Sequence, residues 1–161
     1  MNEPLAERLR PKTLEDYVSQ SHLVGKNGVL TQHLKQGLIP SMILWGPPGT
    51  GKTTLAKVLI KELGVEDYDV MEINASRENG VAIVRDKING FAQTMPFGNF
   101  KVVLLDEADY LTPAGQAALR NDMEAYHLTA RFILTCNYQH RIIPALKSRC
   151  HEFHITKTDK T

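Results

Sequence analysis

The chain has 161 residues, enough for one domain with a full hydrophobic core and too few for two large ones. Hydrophobic residues make up 42% and charged residues 23%, as in ordinary soluble proteins, and a net charge of +1 offers no polyelectrolyte surface, so a nucleic-acid or membrane partner must be met by a local patch or an assembly. Two cysteines, Cys136 and Cys150, exclude a disulfide framework and lack zinc-site spacing; with no signal peptide and no long apolar run, they read as reduced thiols of an intracellular protein, cytoplasmic or nuclear, with no membrane partner.

Strands and helices alternate along the chain, which predicts an α/β fold with a parallel sheet between helices. Residues 4–25, within an N-terminal segment 1–25, are mixed and polar, and Pro4 and Pro11 break any helix there. A helix is expected over 28–36, ending at Gly37. Met42-Ile43-Leu44-Trp45 reads as a short buried strand that feeds a glycine-rich loop. The helix after the loop places Leu55, Val58, Leu59 and Leu63 on one face. A second strand is expected over 70–73, ending at Asn74, and a helix over 81–93 carries the stripe Val81, Val84, Ile88 and Phe91. Residues 101–105 form a third strand, almost wholly apolar as a central parallel strand should be. Thr112-Pro113 starts a helix, with a capping hydroxyl and a proline at the first helical position. That helix extends to about Tyr126. Strands over 132–135 and 152–155 flank a short helix over 144–147, and 156–161 is a polar tail or a cut end.

The loop Gly46-Pro47-Pro48-Gly49-Thr50-Gly51-Lys52-Thr53, followed by Thr54, satisfies the phosphate-binding pattern GxxxxGK[ST] in the strand–loop–helix context its mechanism requires. Its glycines let the backbone turn N–H groups toward phosphates, and the helix N-terminus adds positive potential. Lys52 is expected on the β- and γ-phosphates of ATP and Thr53 on Mg²⁺. About fifty residues on, the strand Val102-Val103-Leu104-Leu105 ends in Asp106 and Glu107. Ligands of parallel sheets sit at the carboxyl ends of strands, so Asp106 is expected near Mg²⁺ and Glu107 near the attacking water. Asn137 ends the next strand and fits two roles, capping its own turn or hydrogen-bonding the water or γ-phosphate. Arg149, in Ser148-Arg149-Cys150, is by itself a partner for any carboxylate.

Taken together these motifs resemble the AAA+ ATPases, which implies a P-loop core with a five-stranded parallel sheet. Met71-Glu72-Ile73-Asn74-Ala75-Ser76, Ile83-Val84-Arg85-Asp86-Lys87-Ile88, Leu105-Asp106-Glu107-Ala108-Asp109, Gln116 to Glu124, Arg131 to Asn137 and Ser148-Arg149-Cys150 resemble the clamp-loader small subunits of replication factor C and phage type, over residues 71–155. The resemblance implies that Asn137 is the sensor 1 residue, that Arg149 is an arginine finger acting in trans on a neighbour's ATP, that Gln116 couples subunits to the ATP sites, and that Asn74 restrains the catalytic glutamate. It further implies other clamp-loader subunits, a sliding clamp and primer-template DNA as partners.

Residues 4–57 resemble instead the RarA/MgsA-type replication-fork ATPases, through Pro4 to Tyr17, His22-Leu23-Val24-Gly25 and Ile39 to Trp45. In both families the segment of Arg10, Pro11, Tyr17 and Val18 lies near the adenine base. The RarA type, however, carries a histidine-arginine pair where Ala108-Asp109 stands, a threonine-rich sensor 1 where Cys136-Asn137 stands, and Gly-Gln where Ser19-Gln20 stands. The chain therefore reads as a divergent relative or as a sequence joined from two parents. A fork-maintenance ATPase, or a truncated nucleotide-binding module with little catalysis, are the alternative functions. The family's lid is expected just past Thr161, so residues 1–161 read as a single core domain without the lid, slow to hydrolyse ATP alone. Candidate DNA contacts are Arg77, Arg85 and Lys87, against a reading as scattered solvated cations. Met95 and Phe97, in the loop Met95-Pro96-Phe97-Gly98, either enter a sliding clamp or fold back onto the core.

Overall fold

A computed structural model describes residues 40–78 and 80–156. The expected helix over 28–36, the adenine-side residues Arg10, Pro11, Tyr17 and Val18, and the tail beyond Thr156 lie outside the described residues.

Five strands, β1 (Met42–Trp45), β2 (Val70–Asn74), β3 (Lys101–Asp106), β4 (Ala130–Cys136) and β5 (His151–His154), form one sheet in the order β2-β3-β4-β1-β5. All pairings are parallel. Side chains alternate between faces, and both faces are covered. Met42, Leu44, Val102, Leu104 and Ile133 pack under α1 (Lys52–Glu62), against Leu55, Val58 and Leu59. Ile43, Val103, Leu105, Phe132 and Leu134 pack on the other face. There they meet Val84 and Ile88 of α2 (Val81–Ala92), Leu119 and Met123 of α3 (Pro113–Ala125), and Leu146 of α4 (Pro144–Lys147). This double coverage explains why the strands read as continuous apolar runs.

The capping expectation holds: the Thr112 Oγ1 accepts the Gly115 N–H at 3.1 Å, with Pro113 opening α3. Strand limits differ by a residue or two from expectation. β4 starts at Ala130, because the ladder with Lys101 begins there, and β5 is shifted to His151–His154 by its register with Met42–Trp45. Both limits are set by a partner strand, which local composition does not encode. Leu63 is the C-cap residue of α1, and its side chain packs against the same core as Leu55, Val58 and Leu59.

Because every strand runs the same way, the sheet has a carboxyl edge and an amino edge with different contents. The glycine-rich loop, Asp106, Glu107, Asn137 and the end of Asn74's strand share the carboxyl edge. Pro40, Ser41, Ala130 and Arg149 stand at the amino edge. β4 lies between β1 and β3, so Asn137 stands between the phosphate loop and the acidic pair.

Candidate active site

The loop leaves β1 under tight constraint. The Gly46 N–H donates to the Cys136 carbonyl at 3.1 Å, tying the loop to the end of β4. A Cβ on Gly46 would lie 2.1 Å from the Ile155 backbone oxygen, so no other residue fits there without moving β5. Gly51, at φ 84°, turns the chain into α1 through the left-handed region open to glycine. The Thr50 hydroxyl donates to the Pro47 carbonyl at 2.9 Å and stiffens the bend.

Lys52 lies over this loop and is almost completely buried. Its Nζ donates to the Gly46 carbonyl at 2.9 Å and the Pro47 carbonyl at 2.8 Å. Burial pushes the ammonium below the ordinary lysine value, opposed by the acidic groups of Cys136, Asp109, Asp106 and Glu107. A cation held this way, among backbone acceptors and facing carboxylates, is set to exchange carbonyl oxygens for phosphate oxygens.

One hydroxyl from α1 and one from β4 meet on a single carboxylate oxygen. Thr53 Oγ1 donates to Asp106 Oδ1 at 2.8 Å, and Thr135 Oγ1 donates to the same oxygen at 2.9 Å. Thr53 and Asp106 are hard oxygen donors beside a phosphate loop. Among the described residues no group of three or more His, Cys, Asp and Glu side chains is placed to hold a metal. A donor set this small fits Mg²⁺, which takes one or two protein oxygens and fills its octahedron with phosphate oxygens and water.

Glu107 is the one non-glycine among the described residues with positive φ, at φ 57° and ψ 47°. Such a backbone costs about 1–3 kcal/mol and persists only where its surroundings hold it. Three contacts hold this one: its N–H donates to Thr135 Oγ1 at 3.1 Å, its carbonyl accepts the Tyr110 N–H at 3.0 Å, and its Oε1 accepts from Asn74 Nδ2 at 3.4 Å. Asn74 reaches it because β2 and β3 pair Asn74 with Asp106. The amide is oriented by Ser76, whose N–H at 2.9 Å and hydroxyl at 2.6 Å both donate to Asn74 Oδ1, so the Asn74 NH₂ is what faces Glu107. Asn137 is half-buried at the end of β4. Its N–H, at 3.3 Å, and that of Tyr138, at 3.1 Å, donate to Asp109 Oδ2, which anchors the turn.

The structure thus brings Lys52, Thr53, Asp106, Glu107, Asn74 and Asn137 together, and it keeps Arg149 apart. Arg149 precedes β5 by two residues, and β5 begins beside Met42, so the guanidinium stands one strand length, roughly 13 Å or more, from the loop that follows Trp45. Arg149 pairs with Glu124, which also meets Arg120 at 3.3 Å, and all three are partly exposed. It lines a cleft of about 450 Å³ with Pro40, Ser41, Glu124, His127 and Arg131. Gln116, almost wholly buried, uses its amide fully: Nε2 donates to the Leu111 carbonyl at 3.1 Å and the Arg141 carbonyl at 2.9 Å, and Oε1 accepts the Ile143 N–H at 2.8 Å. It joins the start of α3 to the segment leading to Arg149.

Of the three cations at and before α2, Arg77 is exposed, Arg85 pairs with Asp122 at 3.5 Å, and Lys87 pairs with Glu78. Met95 and Phe97 are 75% and 81% exposed, so their loop stands off the core. The buried Asp69 carboxylate fixes that loop by accepting the Phe97 N–H at 3.0 Å and the Gly98 N–H at 2.8 Å. The Tyr68 ring meets Phe97 edge-on at 4.9 Å. Sequence reasoning missed Thr135, Asp109 and Asp69. The one available signal for Thr135 was a hydroxyl inside an apolar strand, which β-propensity alone also accounts for.

Comparison with known proteins agrees with this geometry. The profile of the ATPase family associated with various cellular activities, AAA, matches residues 42–157. The chain is 44% identical to a replication factor C small subunit of Archaeoglobus fulgidus over 158 residues, covering 96% of this chain and 49% of that protein. It is 41% identical to replication factor C subunit 2 of Saccharomyces cerevisiae, covering 98% of this chain and 48% of that one. The chain therefore spans about half the length of the curated relatives it matches. The similarity is not confined to 71–155 but runs through the first third as well, where the RarA/MgsA resemblance was read. Among solved structures, the Thermotoga maritima RuvB Holliday junction branch migration motor superposes with a TM-score of 0.72 at 21% identity, covering 91% of this chain and 48% of that one, a likeness of fold. A P-loop, an acidic strand end and a parallel sheet in this order, matched across nearly three quarters of the sequence, make the chain a member of the AAA family of ATPases, with replication factor C small subunits among its relatives.

Proposed function

We propose that this chain is the ATP-binding and ATP-hydrolysing core of a clamp-loader subunit, which acts at an interface between subunits to place a sliding clamp on primer-template DNA. The observation that carries this reading is the division of one set of catalytic groups between the two edges of a single sheet. Lys52, Thr53, Asp106, Glu107 and Asn137 stand on one edge and Arg149 on the other, half exposed, where a neighbouring copy's carboxyl edge can meet it. The names of the curated relatives support the clamp-loading role.

In this reading Lys52 leaves the Gly46 and Pro47 carbonyls for the β- and γ-phosphates, while the backbone N–H groups of 46–53 and the N-terminus of α1 cradle the anion. Thr53 and Asp106 would hold Mg²⁺, which when bound would supply charge neutralisation for the phosphates. Glu107 orients the attacking water and draws off its proton, and the Asn137 amide steadies the water or the γ-phosphate. The Asn74 amide, bonded to Glu107, withholds that carboxylate until the neighbour docks. Gln116 transmits the docking between α3 and the Arg149 segment. Arg77, Arg85 and Lys87 meet DNA phosphates, Arg85 and Lys87 after leaving their carboxylate partners, and Met95 and Phe97 enter the clamp. The setting is intracellular, and among the described residues no helix is long and apolar enough to cross a membrane.

The test is turnover in full-length assemblies of wild-type and Arg149→Ala subunits. A trans finger predicts a loss of roughly 10³-fold or more at sites facing the altered subunit, with that subunit's own nucleotide affinity unchanged. Hydrolysis indifferent to Arg149 would sink the shared-site reading. A second reading, drawn from the likeness of residues 4–57 to RarA/MgsA-type sequences, is a fork-maintenance ATPase, although replication factor C subunits match that stretch as well. Stimulation by clamp plus primed DNA supports the first reading, and its absence the second.

A further inference from the structure

Thr135 is 3% exposed, and its hydroxyl meets the Asp106 carboxylate at the end of β3 and the backbone N–H of Glu107 just beyond it. It donates its one proton to Asp106 Oδ1 at 2.9 Å, so it is a lone pair that receives the Glu107 N–H at 3.1 Å. That N–H lies two residues beyond Leu105, where the β3–β4 ladder ends opposite Leu134. It bonds the Thr135 hydroxyl instead of continuing the ladder.

This contact meets Glu107 at its left-handed backbone, whose carbonyl also accepts the Tyr110 N–H at 3.0 Å. Along an extended β3, Asp106 would follow Val102 and Leu104 toward α1, and Glu107 would point to the opposite face. The left-handed backbone at Glu107 breaks the alternation and brings its carboxylate to Asn74, beside the oxygen shared by Thr53 and Asp106. Ile133 and Thr135 share the α1 face of β4, so the hydroxyl is presented where the turn occurs. We infer that Thr135 is a positioning residue for hydrolysis: by bridging the Asp106 carboxylate and the Glu107 N–H, it holds Glu107 in the left-handed turn that aims the catalytic carboxylate at the phosphate site. The inference rests on the ATPase reading above.

The experiment compares Thr135→Val, Thr135→Ser and wild type in the full-length assembly, measuring single-turnover phosphate release and the Kd of a fluorescent ATP analogue with Mg²⁺. Thr135→Val keeps the shape and removes the hydroxyl. Its turnover is expected to fall about 10- to 100-fold, with Kd within about threefold, as for other groups that orient a catalytic residue. Thr135→Ser restores turnover to within about threefold of wild type. In a Glu107→Gln background, Thr135→Val removes less than about twofold more, since no catalytic carboxylate remains to be aimed. Undiminished turnover in Thr135→Val, failure of serine to rescue, or an undiminished loss in the Glu107→Gln background overturns the inference. If valine disturbs the fold, as judged by thermal midpoint, Thr135→Ala against Thr135→Ser carries the same comparison. Wild-type turnover that ignores clamp and primed DNA sinks the clamp-loader reading alone and leaves the Thr135 ratios interpretable.

Discussion

Replacing Gln116 by leucine removes an amide that joins the Leu111 carbonyl, five residues away, to two backbone groups 25 and 27 residues away. The Ile143 N–H loses its acceptor at 2.8 Å, and an unpaired buried donor costs about 1–3 kcal/mol. The Leu111 and Arg141 carbonyls, at 3.1 and 2.9 Å, lose one donor each but keep a second lone pair, at about 0.5–1 kcal/mol apiece. Leucine regains about 1 kcal/mol through its apolar surface in this buried position. The net loss expected is about 1–4 kcal/mol, a sizeable share of the 5–15 kcal/mol that holds a typical domain together. Urea denaturation followed by circular dichroism reads it as a lower midpoint at constant slope. Gln116→Glu, which keeps the shape and the acceptor for Ile143 but sets a carboxylate oxygen against two carbonyls, should lose more. If both variants unfold within about 0.5 kcal/mol of wild type, Gln116 is not the joint described here. A loss of ATPase coupling without loss of stability would likewise refute a structural basis for coupling in these three bonds.

Three further outcomes follow from particular contacts. Asn74→Ala frees the Glu107 carboxylate of its amide partner, so phosphate release without clamp or DNA should rise several-fold, and an unchanged or lower basal rate contradicts a restraining role. Asp122 is buried between α2 and α3, and burial raises its carboxyl above the ordinary aspartate value against the opposing pull of Arg85. A raised folded-state value means stability is gained as pH falls through it and lost as pH rises above it. Asp122→Asn should therefore raise the urea midpoint at neutral pH and flatten the acid-side rise, and a lower midpoint at pH 7 refutes the assignment. Burial pushes the thiols of Cys136 and Cys150 up to about 12, so the native chain at pH 8 should react with a disulfide reagent about a thousandfold more slowly than a free cysteine, and rapid labelling of either contradicts the packing around them.

Much of the site could be read in advance because it is written locally. A phosphate loop is a run of eight residues, Gly46 to Thr53, whose chemistry and strand–loop–helix context are contiguous in the chain. Asp106 and Glu107 were legible because an apolar strand that ends in two acids is itself a local pattern. Thr112 and Pro113 marked the start of α3 for the same reason. Thr135, Asp109 and Asp69 carried no such pattern, since each acts on backbone N–H groups 28 or 29 residues away, across strands whose register no short window contains. The limits of β4 and β5 escaped for the same cause, being set by the strands beside them.

What the amino-acid order determined on its own was the class of fold and the phosphate chemistry: alternating apolar strands and amphipathic helices must bury both sheet faces, and glycines at fixed offsets must turn N–H groups toward an anion. What only the tertiary structure decided was who faces whom. Parallel pairing in the order β2-β3-β4-β1-β5 gathers Thr53, Asn74, Asp106, Glu107 and Asn137 onto one edge and consigns Arg149 to the other. That separation arises because side chains far apart in sequence are ranked by strand order and strand direction, and both are properties of the sheet as a whole.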